Sequence, residues 1–345
     1  MSINSNGSEF DLIRYIKSRT DLSGARKDER VVGIGDDAAV FRGFGNISTI
    51  SSDMLVEGVD FEFSWGDPYS VGFKSLEVSL SDIAAMGSMP RYSLLSLAIP
   101  KRLLNDSFLR RFVDGYVDSA SESDVRLIGG DISGTEGPLV IDSTVIGDSA
   151  SEPILRSGAM PGDLIYVSGE LGGASAGLEL LCSSKVDSPL AEALIARQLR
   201  PRARRDLGIR LGETGLVSSM IDLSDGLCGD LQHILESSGV GALIQLKSIP
   251  IQAGIVELIE NGTLRGTNLA PFSKPLRLEH AFALIGGEDF ELLFTVSPEN
   301  ENRLLSIVGD DVAKKIGVIT DSEPVTLCEF EGEVFPLPHS AFTHF

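Results

Sequence analysis

Residues 33–40 read GIGDDAAV. Glycines precede two adjacent aspartates, Asp36 and Asp37, and small apolar residues follow them. Neighbouring like charges repel, and a carboxylate taken out of water is costly unless it is paired or bound to a cation. Alone, the stretch reads first as an exposed turn, because aspartate and glycine are turn formers. The arrangement recurs, however, as an acid at the end of an apolar run followed by small residues. Asp53 follows ISTISS, Asp82 lies in SLSDIAAMG, and Asp131 follows RLIGG. Asp222 and Asp225 stand in MIDLSDGL, and Glu288 and Asp289 in LIGGEDFELLF. Asp82 falls inside a segment patterned as an apolar helix, where aspartate has poor propensity. Strand ends are rigid, so acids placed there can converge. With only 4 histidines in the chain, an oxygen-rich donor set suits Mg²⁺ and nucleotide phosphates better than zinc or iron.

At 345 residues the chain is too long for one ordinary core and suits two domains. The formal charge of −21 argues against a nucleic-acid partner, which needs basic surface. No apolar run approaches the ~18 residues of a membrane span. The opening MSINSNGSEF lacks the basic-then-apolar pattern of a secretory signal. Cys182, Cys228 and Cys328 are few and far apart, which fits a reducing cytoplasm and no disulfide framework.

The periodicity predicts an opening helix in SEFDLIRYIKSR, with Ser8 near its N-cap. Strands are expected at Val31–Ile34, Ala38–Phe41, Ile47–Met54 and Val59–Phe63. A helix follows over DPYSVGFKSLEVSLSDIAAMG, with Pro68 in its first turn and Gly87 at its end. YSLLSLAIP reads as a strand, NDSFLRRFVDGYVDSASES as a helix, and DVRLIGGD and PLVIDSTVIGD as strands. This order predicts a helix-backed mixed sheet. The Pro161–Gly162 turn begins a second unit. It carries three helix-like segments over Ala174–Gly212, a strand ending at Asp222, a helix from Gly226 and a strand over Gly241–Leu246. Further strands fall near Glu291–Val296 and Lys315–Ile319, with PENENRLLSIV as a helix between them. The expected class is therefore α/β (α+β) in two domains, 1–152 and 153–345.

No Gly-Lys-Ser/Thr phosphate loop, no GxGxxG opening a helix, no HExxH and no EF-hand ligand series occurs. GELGGASAG reads equally as a phosphate cradle or as tight helix–strand packing, and Asp225, taken alone, reads first as a helix N-cap. Lys74 is either a solvent-exposed helix lysine or a phosphate contact. Cys228 is expected to be buried filler.

Taken in order, GIGDDAAV, ISSDMLVEGVDF, SLSDIAAMG, LIGGD, RSGAMPGD, IDLSDGL and GGEDFELLF resemble bacterial thiamine-monophosphate kinases, over nearly the whole chain. That family lies in the aminoimidazole ribonucleotide synthetase-like superfamily. The resemblance implies a two-domain fold whose N-terminal mixed sheets form a barrel across a homodimer. It also implies an ATP site without a P-loop, in agreement with the missing Walker sequence. The first domain would bind ATP and Mg²⁺ and dimerise, and the second would complete the nucleotide and substrate sites. The implied reaction takes ATP and thiamine monophosphate to ADP and thiamine diphosphate. The implied ligands of several Mg²⁺ ions are Asp37, Ser51, Ser52, Asp53, Asp82, Asp131, Asp222 and Asp225. Gly130, Asp131, Arg156 and Ser224 match nucleotide contacts, and Asp60, Glu288 and Phe342 match the substrate pocket. Family members carry histidine two residues after the glycine of a GxHF-like stretch, where this chain has Asp60. No general base is implied, because the acceptor is a phosphate oxygen whose second pKa is near ~6. Another ATP-dependent enzyme of the superfamily, or a non-catalytic nucleotide- and metal-binding protein, remains an alternative.

Overall fold

The computed structural model describes residues 31–32, 36–42, 47–149, 151–183, 188–269, 276–309 and 312–337. The expected opening helix and Phe342 lie outside them. Strands β1 (Val31–Val32), β2 (Ala39–Arg42), β3 (Ile47–Val56), β4 (Met89–Pro100), β5 (Arg126–Thr135) and β6 (Val140–Ser149) form one sheet in the order β1-β2-β3-β6-β4-β5. All its pairs are antiparallel except β4 with β5. The second sheet runs β13-β12-β9-β11-β7-β10-β8. Its strands are β7 (Leu164–Ser168), β8 (Val217–Asp222), β9 (Gly241–Gln245), β10 (Leu292–Val296), β11 (Ala313–Thr320), β12 (Thr326–Phe330) and β13 (Glu333–Pro336). The mixed α/β class expected from the sequence is the class observed. The β12–β13 hairpin was not anticipated. Val59–Phe63 is not a strand: Gly58 takes a positive φ of 87°, and the amides of Val59 and Asp60 fold back on Val56 O.

Helix α1 (Pro68–Ala85) governs the layout. Asp67 caps it, accepting from Ser70 N at 2.9 Å, and Pro68 pre-sets its first turn. Nearly all its faces are buried, so it packs as a central helix rather than as an amphipathic cover. Its serines are placed one by one against different neighbours. Ser75 Oγ donates to Gly72 O, Ser79 Oγ to Ser143 O of β6, and Ser81 Oγ to Asp222 Oδ2 of β8. The helix thus touches both sheets. Its middle lies in the first hydrophobic core, with Leu76, Leu80 and Ile83 against Ile141 and Val145. Its C-terminal Ala84 and Ala85 lie in a second cluster with Leu207, Leu211, Met220 and Phe294.

Close packing against the neighbouring helix α2 (Asp106–Glu122) rests on two glycines. A Cβ added at Gly72 would sit 2.0 Å from Phe112 O, and one at Gly115 2.0 Å from Tyr69 O. Helices α3 (Gly173–Ser183), α4 (Pro189–Leu199), α5 (Arg205–Thr214), α6 (Leu227–Ser238), α7 (Ile255–Glu260), α8 (Leu278–Ile285) and α9 (Glu301–Val308) complete the described fold. Of these, α7 and α8 were not read from the sequence.

The helix crossing generates a test with an unusual sign. Alanine is favoured over glycine in a helix by about 1 kcal/mol, yet backbone contact at Gly72 leaves no room for a methyl. Gly72→Ala is expected to lower Tm, by on the order of 5 °C, as overpacking outweighs propensity. A melting curve shifted upward refutes the close crossing.

Candidate active site

The pleat of β3 sorts the acidic stretch after Ile50. Ser51 and Asp53 face α1, whereas Ser52 and Met54 face outward. Ser52 Oγ donates to Asp142 Oδ1 at 2.9 Å and lies 2.8 Å from Thr144 Oγ1, on the far face of the sheet. Ser51 Oγ donates to Asp82 Oδ2 in the last turn of α1. Asp82 in turn meets Asp37 from the segment before β2 and Asp222 from the end of β8. One carboxylate oxygen from each of the three lies within 4.8 Å of the others.

Arg156 secures this cluster from the β6–β7 connection. Its Nη2 and Nε donate to Asp37 Oδ1 at 2.5 and 3.1 Å, and its backbone N–H reaches both oxygens of Asp36 at 3.3 Å. The sequence left the role of the two adjacent aspartates open. In the fold Asp36 receives backbone N–H groups and Asp37 is buried against a guanidinium.

The electrostatics follow from burial and crowding. Burial first, and then the Asp37 carboxylate, push Asp222 up to about 8. Burial, followed by Asp53, Asp222 and Asp37, raises Asp82 well above its ordinary value. Burial chiefly, with smaller contributions from Asp142 and Asp37, raises Asp53, and burial and Asp37 bring Asp36 to about 6. Asp37 Oδ2 and Asp53 Oδ2 are buried without a hydrogen-bond partner. An all-oxygen set of mutually repelling acids, with two orphaned oxygens, fits a hard divalent cation.

Asp53 also opens onto a cavity of about 540 Å³. Ser224, Asp225, Asp60, Glu288 and Phe290 line it, with Leu55, Val59, Trp65 and Ile285 as apolar wall. Asp60 Oδ2 accepts from Val56 N at 2.7 Å, which fixes the turn after β3 at the cavity's edge. Lys74 is neither solvent-exposed nor directed at the acid cluster. It is 4% exposed and lies 2.6 Å from Glu288 Oε1. Asp225 is not the cap of α6, since Gly226 holds that position with a φ of 102° and no side-chain cap. The N-terminus of α3, a possible phosphate cradle, is occupied from within. Asp289 is buried and accepts from Gly172 N and Ala174 N at 2.6 and 3.1 Å. Cys228 is buried as expected.

Asp131 and Gly130 lie on β5, opposite Ser96 and Leu95 of β4. Asp131 is exposed and stands outside the three-acid group. One acid was missed. Asp230 of α6 is buried and accepts from Asp225 N at 3.2 Å; its signal was an aspartate among apolar helix residues. Gln198, which also lines the cavity, had no sequence signal.

The N-terminal domain of AIR synthase related proteins matches residues 35–148, and the C-terminal domain matches residues 160–327. The thiamine-monophosphate kinase of Escherichia coli (strain K12) is 37% identical over 339 residues, covering 92% of this chain and 95% of that protein. That of Bacillus subtilis (strain 168) is 36% identical, covering 84% of each. Among solved structures, AaThiL complexed with AMPPCP and TMP is 30% identical, with a TM-score of 0.83 over 100% of this chain and 99% of that one. With both domains matched in order and close relatives spanning most of its length, the chain belongs to the thiamine-monophosphate kinase family of AIR synthase related proteins.

Proposed function

We propose that this protein transfers the terminal phosphoryl group of ATP to thiamine monophosphate, yielding ADP and thiamine diphosphate. The observation that carries the reading is the converging Asp37–Asp82–Asp222 group joined through Asp53 to a cavity of about 540 Å³. It is supported by the fold shared with AaThiL in complex with AMPPCP, a non-hydrolysable ATP analogue, and TMP.

The acceptor is a phosphate oxygen already ionised at neutral pH. It attacks the γ-phosphorus of ATP in line; a new P–O bond forms and the bond to the β-phosphate oxygen breaks, releasing ADP. No side chain needs to remove a proton, so the protein's task is to position two anions. Asp37, Asp53, Asp82 and Asp222 are the residues we assign to Mg²⁺, with Ser51 supporting Asp82, and Asp225 and Asp131 approaching from the rim and from β5. Ser52, turned to the far face, contributes through its backbone at most. Bound there, Mg²⁺ supplies the positive charge that lets ATP and the acceptor phosphate approach. Arg156 has donors beyond those given to Asp37 and is assigned, with Ser224 and the Gly130 backbone, to the nucleotide. The cationic thiazolium ring is assigned to the cavity that Asp60 and Glu288 line, where acids favour it. Phe342 keeps its sequence-based assignment to the same pocket.

The assembly is read as a homodimer whose N-terminal sheets close a barrel. Nine of ten residues of the edge strand β5 are exposed, including Ile128 and Ile132 at 53% and 71%. An open apolar edge of this kind favours pairing with a second copy. We put the domain division near residue 152, between β6 and β7. A nucleoside triphosphate substrate fits the cytoplasm, and among the described residues no helix is long and apolar enough to cross a membrane.

An ADP-release assay offering thiamine, thiamine monophosphate and an aminoimidazole ribonucleotide precursor side by side tests the reading. ADP is expected with thiamine monophosphate alone; turnover of the aminoimidazole precursor instead would transfer the chain to the ligase branch. Asp222→Asn is expected to lower kcat by at least ~10²-fold while raising the Tm of the metal-free protein at about pH 9, where the carboxyl is ionised, because it removes a buried repelling charge. Unchanged kcat removes Asp222 from the site. The Asp222 carboxyl goes from 3.8 to about 8 on folding, so the folded chain binds the extra proton and its stability falls as pH rises through that window. Added Mg²⁺ should therefore raise Tm more at about pH 9 than at about pH 5. A larger gain in acid counts against the cluster as the metal site.

A further inference from the structure

Among the buried polar groups of the cavity that phosphoryl transfer leaves unused, one lacks a partner. Gln198, in the last turn of α4, lines the cavity and is 4% exposed. Its Nε2 donates to Glu288 Oε2. Glu288 Oε1 lies 2.6 Å from the buried Lys74 Nζ, and the two form an ion pair. A carboxylate in an ion pair offers the amide acceptors only. The Gln198 amide is therefore oriented with its nitrogen toward Glu288, and its oxygen is left as an acceptor. That Oε1 is buried and has no partner.

The loop bearing Glu288 is held as firmly as the amide. Glu288 and Phe290 both adopt positive φ, 66° and 50°, which non-glycine residues sustain only when surrounding structure imposes it. Glu288 N donates to Ser224 O at 2.7 Å, and Phe290 N to Leu223 O at 2.8 Å. Lys74, Glu288 and Gln198 therefore form a pre-set chain running from the centre of α1 to the cavity wall.

We propose that Gln198 Oε1 selects the substrate by accepting a hydrogen bond from the exocyclic amino group of its pyrimidine ring, with Lys74 and Glu288 as positioning residues that fix the amide. This rests on the reading of thiamine monophosphate as acceptor substrate. Of that molecule's parts, the phosphate is an acceptor directed to the acid cluster and the thiazolium carries no N–H. The aminopyrimidine alone offers N–H donors. Trp65, Val59 and Ile285 supply the apolar wall against which a flat ring packs. A site built to pair a substrate N–H discriminates strongly against an analogue lacking it.

The test is calorimetric binding, with Mg²⁺ and AMPPCP present, of thiamine monophosphate and of its 4-oxo analogue, in which a carbonyl replaces the amino group. Wild type is expected to bind thiamine monophosphate at least ~10-fold more tightly than the analogue. Gln198→Met, close in volume, should weaken thiamine monophosphate by about 10-fold and the analogue by less than about threefold, collapsing the preference. Equal affinity of wild type for both ligands, or equal weakening of both by Gln198→Met, overturns the assignment. If the variant does not fold, the wild-type comparison alone decides. Selective binding without ADP release would defeat the kinase reading and leave this inference standing. Phosphorylation of both compounds with equal affinity would do the reverse.

Discussion

Repulsion among carboxylates forced together where the two sheets meet is the constraint around which this molecule is organised. Asp37, Asp82 and Asp222 come from a loop, a helix and a strand end, and their oxygens are closer than like charges tolerate in a dry interior. The remaining structure holds them there. Serine hydroxyls at positions 51 and 81 and the Arg156 guanidinium each neutralise part of the cost. The rest is left unmet, as two orphaned oxygens and raised proton affinities. A fold that keeps such a site gives up stability in its empty state for a place where anions can be brought together.

The helix from Pro68 to Ala85 makes that convergence possible. Buried on nearly every side, it passes from the first hydrophobic core into the one shared with the second sheet. Its length carries Lys74 to Glu288 of the cavity wall and Asp82 to the acid cluster, two turns further on. A helix held by backbone contact through Gly72 and Gly115 has little freedom to slide. The cluster and the cavity are thus set at a fixed separation, as transfer between two bound anions requires.

The sequence disclosed the α/β class and most of the regular elements, because hydrophobic periodicity and glycine and proline punctuation act locally. It missed α7 and α8, short helices whose burial comes from partners distant in the chain, and the β12–β13 hairpin, whose outer strand is mostly exposed and carries no apolar alternation. It read Val59–Phe63 as a strand because β-formers are enriched there, whereas Gly58 turns the chain back. Ser51, Ser52 and Asp53 read as one group of ligands. The period-two alternation of β3 divides them between opposite faces, and only the choice of which face meets α1 tells which is which.

The sequence alone determined the chemical inventory: many carboxylates at the ends of apolar runs, few histidines, and an ordered series of motifs specific to one family. Those properties reside in residue type and spacing along one dimension. Tertiary structure alone decided which acids share a site, that Lys74 is buried against Glu288, that Asp289 fills the α3 terminus, and that the Gln198 amide oxygen is left over. These depend on distances between segments far apart in the chain, and such distances are set only when two sheets close on one helix.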